Sequence, residues 1–199
     1  MRIKTESRRQ AILDVARTVF QEHGFTGASM SEISARVGGS KATLYRYFTS
    51  KDELFAEVMR QYAEDLMREI FEELDASAEL QTGLQRFGER FLDATGQPEL
   101  ISAYRNVYAE SGKSSVGRLF YERGPLEGLQ QLARYLQQCI AKGKLRDTDP
   151  TIAAQHLFAL LRAETVELLL LGVQDGLPAE DIPPIVARAV GVFLKAYAP

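Results

Sequence analysis

The sequence predicts an all-α protein made of two helical domains. Apolar residues recur at helical spacing along most of the 199 residues, and clusters of Gly, Pro and Ser interrupt that pattern at intervals. No stretch shows the strict alternation of a half-buried strand. Hydrophobic residues make up 45% and charged residues 26% of the chain, which are ordinary values for a globular protein.

Residues 29–48 predict two short helices joined by a tight turn. Ser29 followed by Glu32 has the spacing of a capping box at a helix start. Gly38 and Gly39 end that helix, since glycine adopts positive φ without steric cost, and Ser40 caps a second helix that runs to Phe48. A helix, a glycine turn and a second helix within about 20 residues indicate a helix-turn-helix, whose second helix enters the DNA major groove.

The second of these helices has a polar, aromatic outer face. Leu44 and Phe48, four residues apart, are expected to pack inward. Lys41, Thr43 and Tyr45 then lie on the outer face together with Tyr47, and their side chains can contact phosphates or base edges.

The string GFTGASMSEISARVGGSKATLYRYFTSKDELF closely resembles the DNA-binding module of the TetR (tetracycline-repressor-like) family of transcriptional regulators. This resemblance covers the first quarter to third of the chain. Gly39 departs from the family pattern, because many members carry valine at this position. The turn is therefore expected to be looser in this protein. The resemblance implies that DNA is faced by Ser29, Ser40, Lys41, Ala42, Thr43, Tyr45, Tyr47 and Lys51.

Charge is distributed unevenly in a way that suits a DNA-binding N-terminus. Residues 1–52 carry nine Lys or Arg against five Asp or Glu, whereas residues 53–199 carry fifteen against twenty-two, giving +4 and −7 within a net charge of −3. The single Cys139 excludes an intramolecular disulfide, and the N-terminus is too polar for a signal peptide. We therefore expect a cytoplasmic protein without a membrane span.

The first helix is predicted over residues 7–23, with one apolar stripe that includes Ile12, Val19 and Phe20, and Gly24 ends it. It would pack on the helix-turn-helix to complete a DNA-binding domain of residues 1–51. In the basic arm of residues 2–9, Lys4, Arg8 or Arg9 is expected to add contacts to the DNA backbone.

The remaining residues, 52–199, are predicted to form an all-helical domain for ligand binding and dimerisation. Ser50 and Glu53 start a helix over about 52–74, and further helices are expected near 77–94, 98–110, 115–123 and 126–142. Asp149 and Pro150 start a helix over about 150–171 that is apolar on nearly all sides, and a last helix ends near Tyr197.

These last two helices predict a homodimer, because helices buried on nearly all sides in a small chain need a second subunit to cover them. The segment HLFALLRAETVELLLLG also resembles the C-terminal domain of the AefR-like subgroup of TetR regulators. A two-fold dimer reads an inverted repeat, so the expected DNA partner is a pseudo-palindromic operator.

The TetR resemblance further implies a pocket for a small, mostly apolar effector in the C-terminal domain. Aromatic residues at helical spacing are also typical of an ordinary core, so both interpretations stay open. The candidate lining residues are Tyr62, Phe87, Phe91, Tyr104, Tyr108, Phe120, Tyr121 and His156.

An enzyme is the least favoured class, because the sequence contains no Gly-rich phosphate loop and no His or Cys cluster at metal-ligand spacing. No cofactor or metal is therefore expected. A DNA-binding protein without an inducer, either architectural or controlled by a protein partner, is the remaining alternative to an effector-controlled repressor.

Overall fold

The computed structural model describes residues 5–71, 74–76 and 78–199, apart from the side chains of 62–69. Except for one isolated bridge between Ser111 and Ser114, the regular secondary structure of these residues is helical. The helices are α1 (Glu6–Gly27), α2 (Met30–Arg36), α3 (Lys41–Tyr47), α4 (Lys51–Phe71), α5 (Leu80–Thr95), α6 (Pro98–Glu110), α7 (Val116–Glu122), α8 (Pro125–Ala141), α9 (Pro150–Arg162), α10 (Val166–Leu171) and α11 (Ile182–Tyr197).

The predicted helix starts are confirmed where a side chain caps the first turn. The Oγ atoms of Ser29 and Ser40 accept the backbone N–H groups of Glu32 and Thr43, both at 3.2 Å. Asp149 accepts the N–H of Thr151 at 2.7 Å, and Pro150 occupies the first position of α9. Each of these residues satisfies a backbone donor that the helix itself leaves unpaired.

One predicted helix end marks a kink, and another is wrong. Gly24, predicted to end the first helix, leaves the helical conformation with φ 67° and ψ 177°, and α1 continues beyond this kink to Gly27. The predicted helix over 150–171 is two helices, because α9 ends at Arg162 and α10 begins at Val166. Between them Thr165 is 2% exposed, and its backbone N–H donates to the Arg162 carbonyl at 3.1 Å, three residues back, so the regular α-helical pattern stops there.

The chain divides into two compact units that are not contiguous in sequence. Unit 1 comprises Met1–Glu64 and Ser102–Pro125, and unit 2 comprises Asp65–Ile101 and Leu126–Pro199. Unit 1 therefore contains, besides α1 to α3, the first part of α4, most of α6 and all of α7. The functional boundary predicted between residues 51 and 52 stays a prediction.

The core of unit 1 joins the helix-turn-helix to α1 and α4. Ile33, Leu44 and Phe48 are at most 2% exposed, as expected for residues that pack inward. The Phe55 ring on α4 lies 5.0 Å from Phe20 and 5.1 Å from Phe25, both in edge-on arrangements. The kink at Gly24 places Phe25 in this core, where it is 4% exposed.

Within unit 1, apolar packing and hydrogen bonds hold residues 102–125 against the N-terminal helices. Ala103, Val107, Val116 and Phe120 are buried in the same core as α1 to α4. The Thr26 hydroxyl donates to Glu110 at 3.2 Å, and Asp52 accepts both the N–H of Ser115 at 3.1 Å and its hydroxyl at 2.9 Å. The start of α4 thereby caps α7.

A buried carboxylate ties α1, α4 and α7 together. Glu57 is 6% exposed and pairs with Arg9 through Oε1, with Arg60 at 2.9 Å and with Arg123 at 3.2 Å. Burial alone would raise the pKa of Glu57, but the hydrogen bonds from Arg60 and Arg9 outweigh it and the pKa is lowered. Glu57 is therefore ionised at neutral pH.

Unit 2 is built around α5, α8, α9 and α11. Phe87 and Phe91 of α5 and Phe193 of α11 are among its fully buried side chains. Gly88 allows α5, α9 and α11 to approach closely, because a Cβ at this position would lie 2.5 Å from Val186 and 2.8 Å from Leu161. Within the described part of the chain, no helix is both long enough and apolar enough to cross a membrane.

Candidate nucleic-acid interface

The turn between α2 and α3 is a glycine C-cap. The N–H of Gly38 donates to the Ala35 carbonyl at 3.1 Å, and the N–H of Gly39 donates to the Ser34 carbonyl at 3.0 Å. This pair of bonds is the Schellman arrangement, which requires a residue with positive φ, and Gly38 supplies it at φ 69°. The turn directs the chain from α2 into the cap of α3.

The outward face of α3 presents polar and aromatic side chains to solvent. Lys41, Ala42, Tyr45 and Arg46 are exposed, Tyr45 by 46%. Thr43 and Tyr47 are half-buried, whereas Leu44 faces the core. The face can donate hydrogen bonds from an ammonium, a guanidinium and a phenol, the groups that commonly contact DNA phosphates and bases.

A polar groove lies beside this face. It has a volume of about 670 Å³, and its lining includes Arg8 and Arg46 but no carboxylate. The full lining of the groove is Thr5, Ser7, Arg8, Gly38, Gly39, Ser40, Thr43, Arg46 and Tyr47. Two guanidinium groups and several hydroxyls in one concave surface favour an anionic ligand such as a phosphodiester.

The start of α1 is tied to the helix-turn-helix across this groove. The backbone N–H of Thr5 donates to the Tyr47 hydroxyl at 3.1 Å, and Arg8 donates to the Gly38 carbonyl at 3.3 Å. Tyr47, which the sequence places on the DNA-facing side, therefore also holds the N-terminus of α1. The first turn of α1 and the glycine turn form one continuous surface.

Lys51 is half-buried rather than directed at solvent. Its ammonium donates to the carbonyls of Phe25 at 2.7 Å and Ala28 at 3.1 Å, and it lies 4.4 Å from the centroid of the Phe25 ring. These contacts hold the end of α1 and the segment that leads into α2. The contact between Lys51 and a DNA phosphate stays a prediction. The Lys51 ammonium would have to bind that phosphate as well as the carbonyls of Phe25 and Ala28.

An ion-pair cluster links α1 to α2 on the other side of the motif. His23 Nε2 lies 3.1 Å from Glu32, and Arg36 contacts Glu22 at 2.6 Å and Glu32 at 2.7 Å. Glu22, His23 and Glu32 bring their ligand atoms within 4.8 Å of one another, a spacing that could hold a metal ion. Arg36 already supplies the positive charge, and hydrogen bonding to Glu22 raises the pKa of Arg36.

The residues predicted to line an effector pocket belong to different units. Tyr104 stacks edge-on with Phe120 at 5.0 Å in unit 1, where Tyr108 and Tyr121 are 61% and 49% exposed. In unit 2, Phe87 and Phe91 lie in the core, and His156 Nδ1 is 2.6 Å from the Tyr197 hydroxyl. The side chain of Tyr62 lies outside the described residues.

Sequence reasoning missed Arg46 on this surface, as well as Thr5 and Ser7 in the lining of the groove. Arg46 lies between the two tyrosines of α3, is exposed and lines the groove. The sequence does not show that Arg8 in α1 and Arg46 in α3 share a surface, because only the tertiary packing of these two helices brings them together.

Comparison with known proteins agrees with this geometry. Residues 12–58 match the model described as "Bacterial regulatory proteins, tetR family", and residues 82–199 match "AefR-like transcriptional repressor, C-terminal domain". The transcriptional activator FasR of Mycolicibacterium smegmatis is 33% identical over 92 residues, which span 46% of this chain and 42% of FasR. The match therefore spans less than half of that relative.

Solved structures match over nearly the whole chain, among them the following two. One is described as a TetR-family transcriptional regulator from Mesorhizobium loti; it is 27% identical, with a TM-score of 0.86, and the match covers 98% of this chain and 100% of that one. The other is the flavonoid-responsive regulator FrrA, which is 33% identical with a TM-score of 0.83, covering 98% and 99%.

These proteins are transcriptional regulators rather than enzymes, and regulators of this family bind DNA and act as dimers. The capped helix-turn-helix in unit 1 and the match of residues 82–199 to a TetR-type C-terminal domain lead to the same assignment. The chain belongs to the TetR family of bacterial DNA-binding transcriptional regulators.

Proposed function

We propose that this regulator is a cytoplasmic repressor that binds an inverted-repeat operator as a homodimer and leaves it when a small, mostly apolar effector binds unit 2. The observation that carries the DNA-binding part is the exposed face of α3 beside the polar groove. Repression is favoured by the match of the C-terminal residues to a domain described as that of a repressor.

In this proposal α3 reads bases in the major groove while the groove residues hold the DNA backbone. Lys41, Tyr45 and Arg46 are exposed on α3, and the turn and caps around them are fixed by backbone hydrogen bonds. Arg8 and the hydroxyls around it would contact a neighbouring phosphate. DNA contact is thus assigned to two helices, α1 and α3, rather than to α3 alone.

The homodimer is supported by exposed apolar side chains near the C-terminus. Leu171 is 71%, Val173 is 67% and Val192 is 53% exposed, on or directly after α10 and on α11. Exposed apolar side chains are common at subunit interfaces. A second copy of the chain is the proposed partner, because one short recognition helix contacts too few bases for specific binding and two copies read both half-sites.

An effector is supported by the relatives, since FrrA is named as a flavonoid-responsive regulator. The helical core of unit 2 is rich in aromatic residues, among them Phe87, Phe91 and Phe158, whose rings lie 4.9 to 6.1 Å apart. Aromatic side chains of this kind commonly line the binding sites of apolar molecules.

The proposal is tested by fluorescence anisotropy with DNA from immediately upstream of the gene, against scrambled DNA of the same length at fixed salt. We expect tight, sequence-dependent binding with two protomers per site and footprints on half-sites about 34–36 Å apart. Protection of a single asymmetric half-site would contradict the inverted repeat. Equal affinity for genomic and scrambled DNA would contradict an operator in this region.

The dimer is tested by Leu171→Glu, with Gln137→Glu on the exposed face of α8 as the matched control for the added charge. We expect Leu171→Glu to sediment as a folded monomer with much weaker operator binding, and Gln137→Glu to remain dimeric. A Leu171→Glu protein that stays dimeric would place the interface elsewhere.

A further inference from the structure

Arg162 is a half-buried arginine at the end of α9 in the aromatic core of unit 2. Its guanidinium carbon lies 5.3 Å from the centroid of the Phe91 ring and 5.8 Å from that of Phe158. Both rings lie 4.9 Å from each other and belong to the same cluster as Phe87. The positive charge of Arg162 therefore lies against apolar groups, at a position where an apolar side chain would have a lower desolvation cost.

Within the described part of the chain, the guanidinium of Arg162 has no hydrogen bond and no ion pair beyond these ring contacts. The neighbouring carboxylate of Glu164 is taken by Arg188, with contacts of 3.0 and 2.5 Å. Arg9, Arg36 and Arg123 of unit 1, by contrast, all pair with carboxylates. Arg162 keeps its N–H donors available.

The chemistry of arginine defines what this arrangement would bind. A guanidinium can lie over aromatic rings and still offer N–H groups at its edge, which match the two oxygens of a carboxylate. Aromatic rings beside it suit a flat or aliphatic body. A single cation in apolar surroundings favours one negative charge over the two of a phosphate monoester, which would need further donors.

We propose that Arg162 binds the carboxylate of the effector, so that the effector is an organic acid whose apolar body lies against Phe158 and its neighbours. The assignment rests on the proposed effector control, and it goes further by naming the effector class and the residue that selects it. The bound acid would supply the negative charge that Arg162 does not receive from any described carboxylate.

The experiment measures binding of matched ligands to the full-length dimer by isothermal titration calorimetry. Decanoic acid is compared with its methyl ester and with decanol, and 3-phenylpropionic acid with its methyl ester. The variants are Arg162→Gln, which removes the charge, and Arg162→Lys, which keeps the charge but lacks the planar guanidinium that can bind both oxygens of a carboxylate. Arg134→Gln, on the exposed face of α8, is the matched control.

We expect one of the acids to bind the wild type at least tenfold more tightly than its ester, and Arg162→Gln to reduce that ratio to about one. Arg162→Lys should retain part of the ratio, and Arg134→Gln all of it. Far-UV circular dichroism shows whether each variant is folded, and Arg162→Lys keeps the test decisive should Arg162→Gln unfold. An unchanged ratio in a folded Arg162 variant, or no preference for either acid, overturns the assignment.

A parallel operator-release assay separates this inference from the proposed function. Neutral ligands that release DNA from wild type and Arg162→Gln alike would preserve effector control and overturn the acid assignment. An acid that binds through Arg162 without releasing DNA would preserve the site and overturn effector control.

Discussion

Lys51→Ala distinguishes two roles for one lysine. In the free protein its ammonium donates to the Phe25 and Ala28 carbonyls and lies over the Phe25 ring, so its removal leaves the end of α1 without these partners. Hydrogen bonds to a charged group contribute about 1.5–3 kcal/mol and an exposed cation–π contact about 0.5–1 kcal/mol. Because Lys51 is half-buried, its ammonium keeps part of its hydration, and we expect a loss of about 2 kcal/mol in the free energy of unfolding.

Urea unfolding followed by circular dichroism measures that loss, and the salt dependence of operator binding measures any phosphate contact. Each neutralised phosphate contributes about 0.9 to the slope of log K against log salt concentration. We expect Lys51→Ala to be less stable, and a slope reduced by about one unit in addition would show that the same ammonium also contacts a phosphate. Lys41→Ala, on the exposed face of α3, should keep its stability and lose about one unit of slope.

Lys51→Met retains the aliphatic stem and separates the loss of packing from the loss of the ammonium. A Lys51→Ala protein with wild-type stability and a slope reduced by about one would refute this reasoning, because the ammonium would then act on phosphate rather than on the end of α1.

Four further substitutions test unit 1. Because the pKa of Glu57 is lowered in the folded protein, its contribution to stability is present above the unfolded pKa of about 4.3 and is lost as the pH falls through the lower folded value. Glu57→Gln should therefore be less stable than wild type at pH 7, and in urea titrations it should lose less stability than wild type between pH 6 and pH 3. Equal acid sensitivity of the two proteins would contradict this. Leu44→Ala, at a position 2% exposed, should lower the free energy of unfolding by about 2–5 kcal/mol, and a loss below 1 kcal/mol would place Leu44 outside the core. Gly38→Ala should cost about 1 kcal/mol because φ is 69°, whereas Gly39→Ala, where a Cβ meets only the mobile end of Arg8 at 3.0 Å, should be close to neutral; an equal loss in both would contradict the assigned turn.

The parts of the fold that sequence predicted correctly depend on neighbouring residues. Ser29, Ser40 and Asp149 cap helices two or three residues away, so their partners are visible in the sequence. The inward position of Leu44 follows from the helical repeat, whereas Phe48, which is also buried, lies just after α3 in extended backbone. These features hold whatever the rest of the chain does.

The predicted features that failed depend on contacts that the sequence pattern does not display. No Gly or Pro marks the break between α9 and α10, and Thr165 there is buried by packing that the sequence does not display. Glu32 was expected to complete a capping box, but its carboxylate contacts Arg36 at 2.7 Å and His23 at 3.1 Å instead. A competing partner on the same or an adjacent helix was enough to redirect the side chain.

The start of α4 shows why a family motif can be recognised while part of its physical role stays hidden. Lys51 reaches back 23 residues to the carbonyl of Ala28, and Asp52 reaches forward 63 residues to cap α7 at Ser115. Glu53 returns to Thr49, with its carboxylate accepting the backbone N–H at 2.7 Å. Three successive residues thus connect α4 to the end of α1, to α7 and to the turn after α3. Their order along the chain identifies the family, but only the fold shows that they fasten the DNA-reading helices together, and a substitution here is therefore expected to change stability before it changes DNA contact.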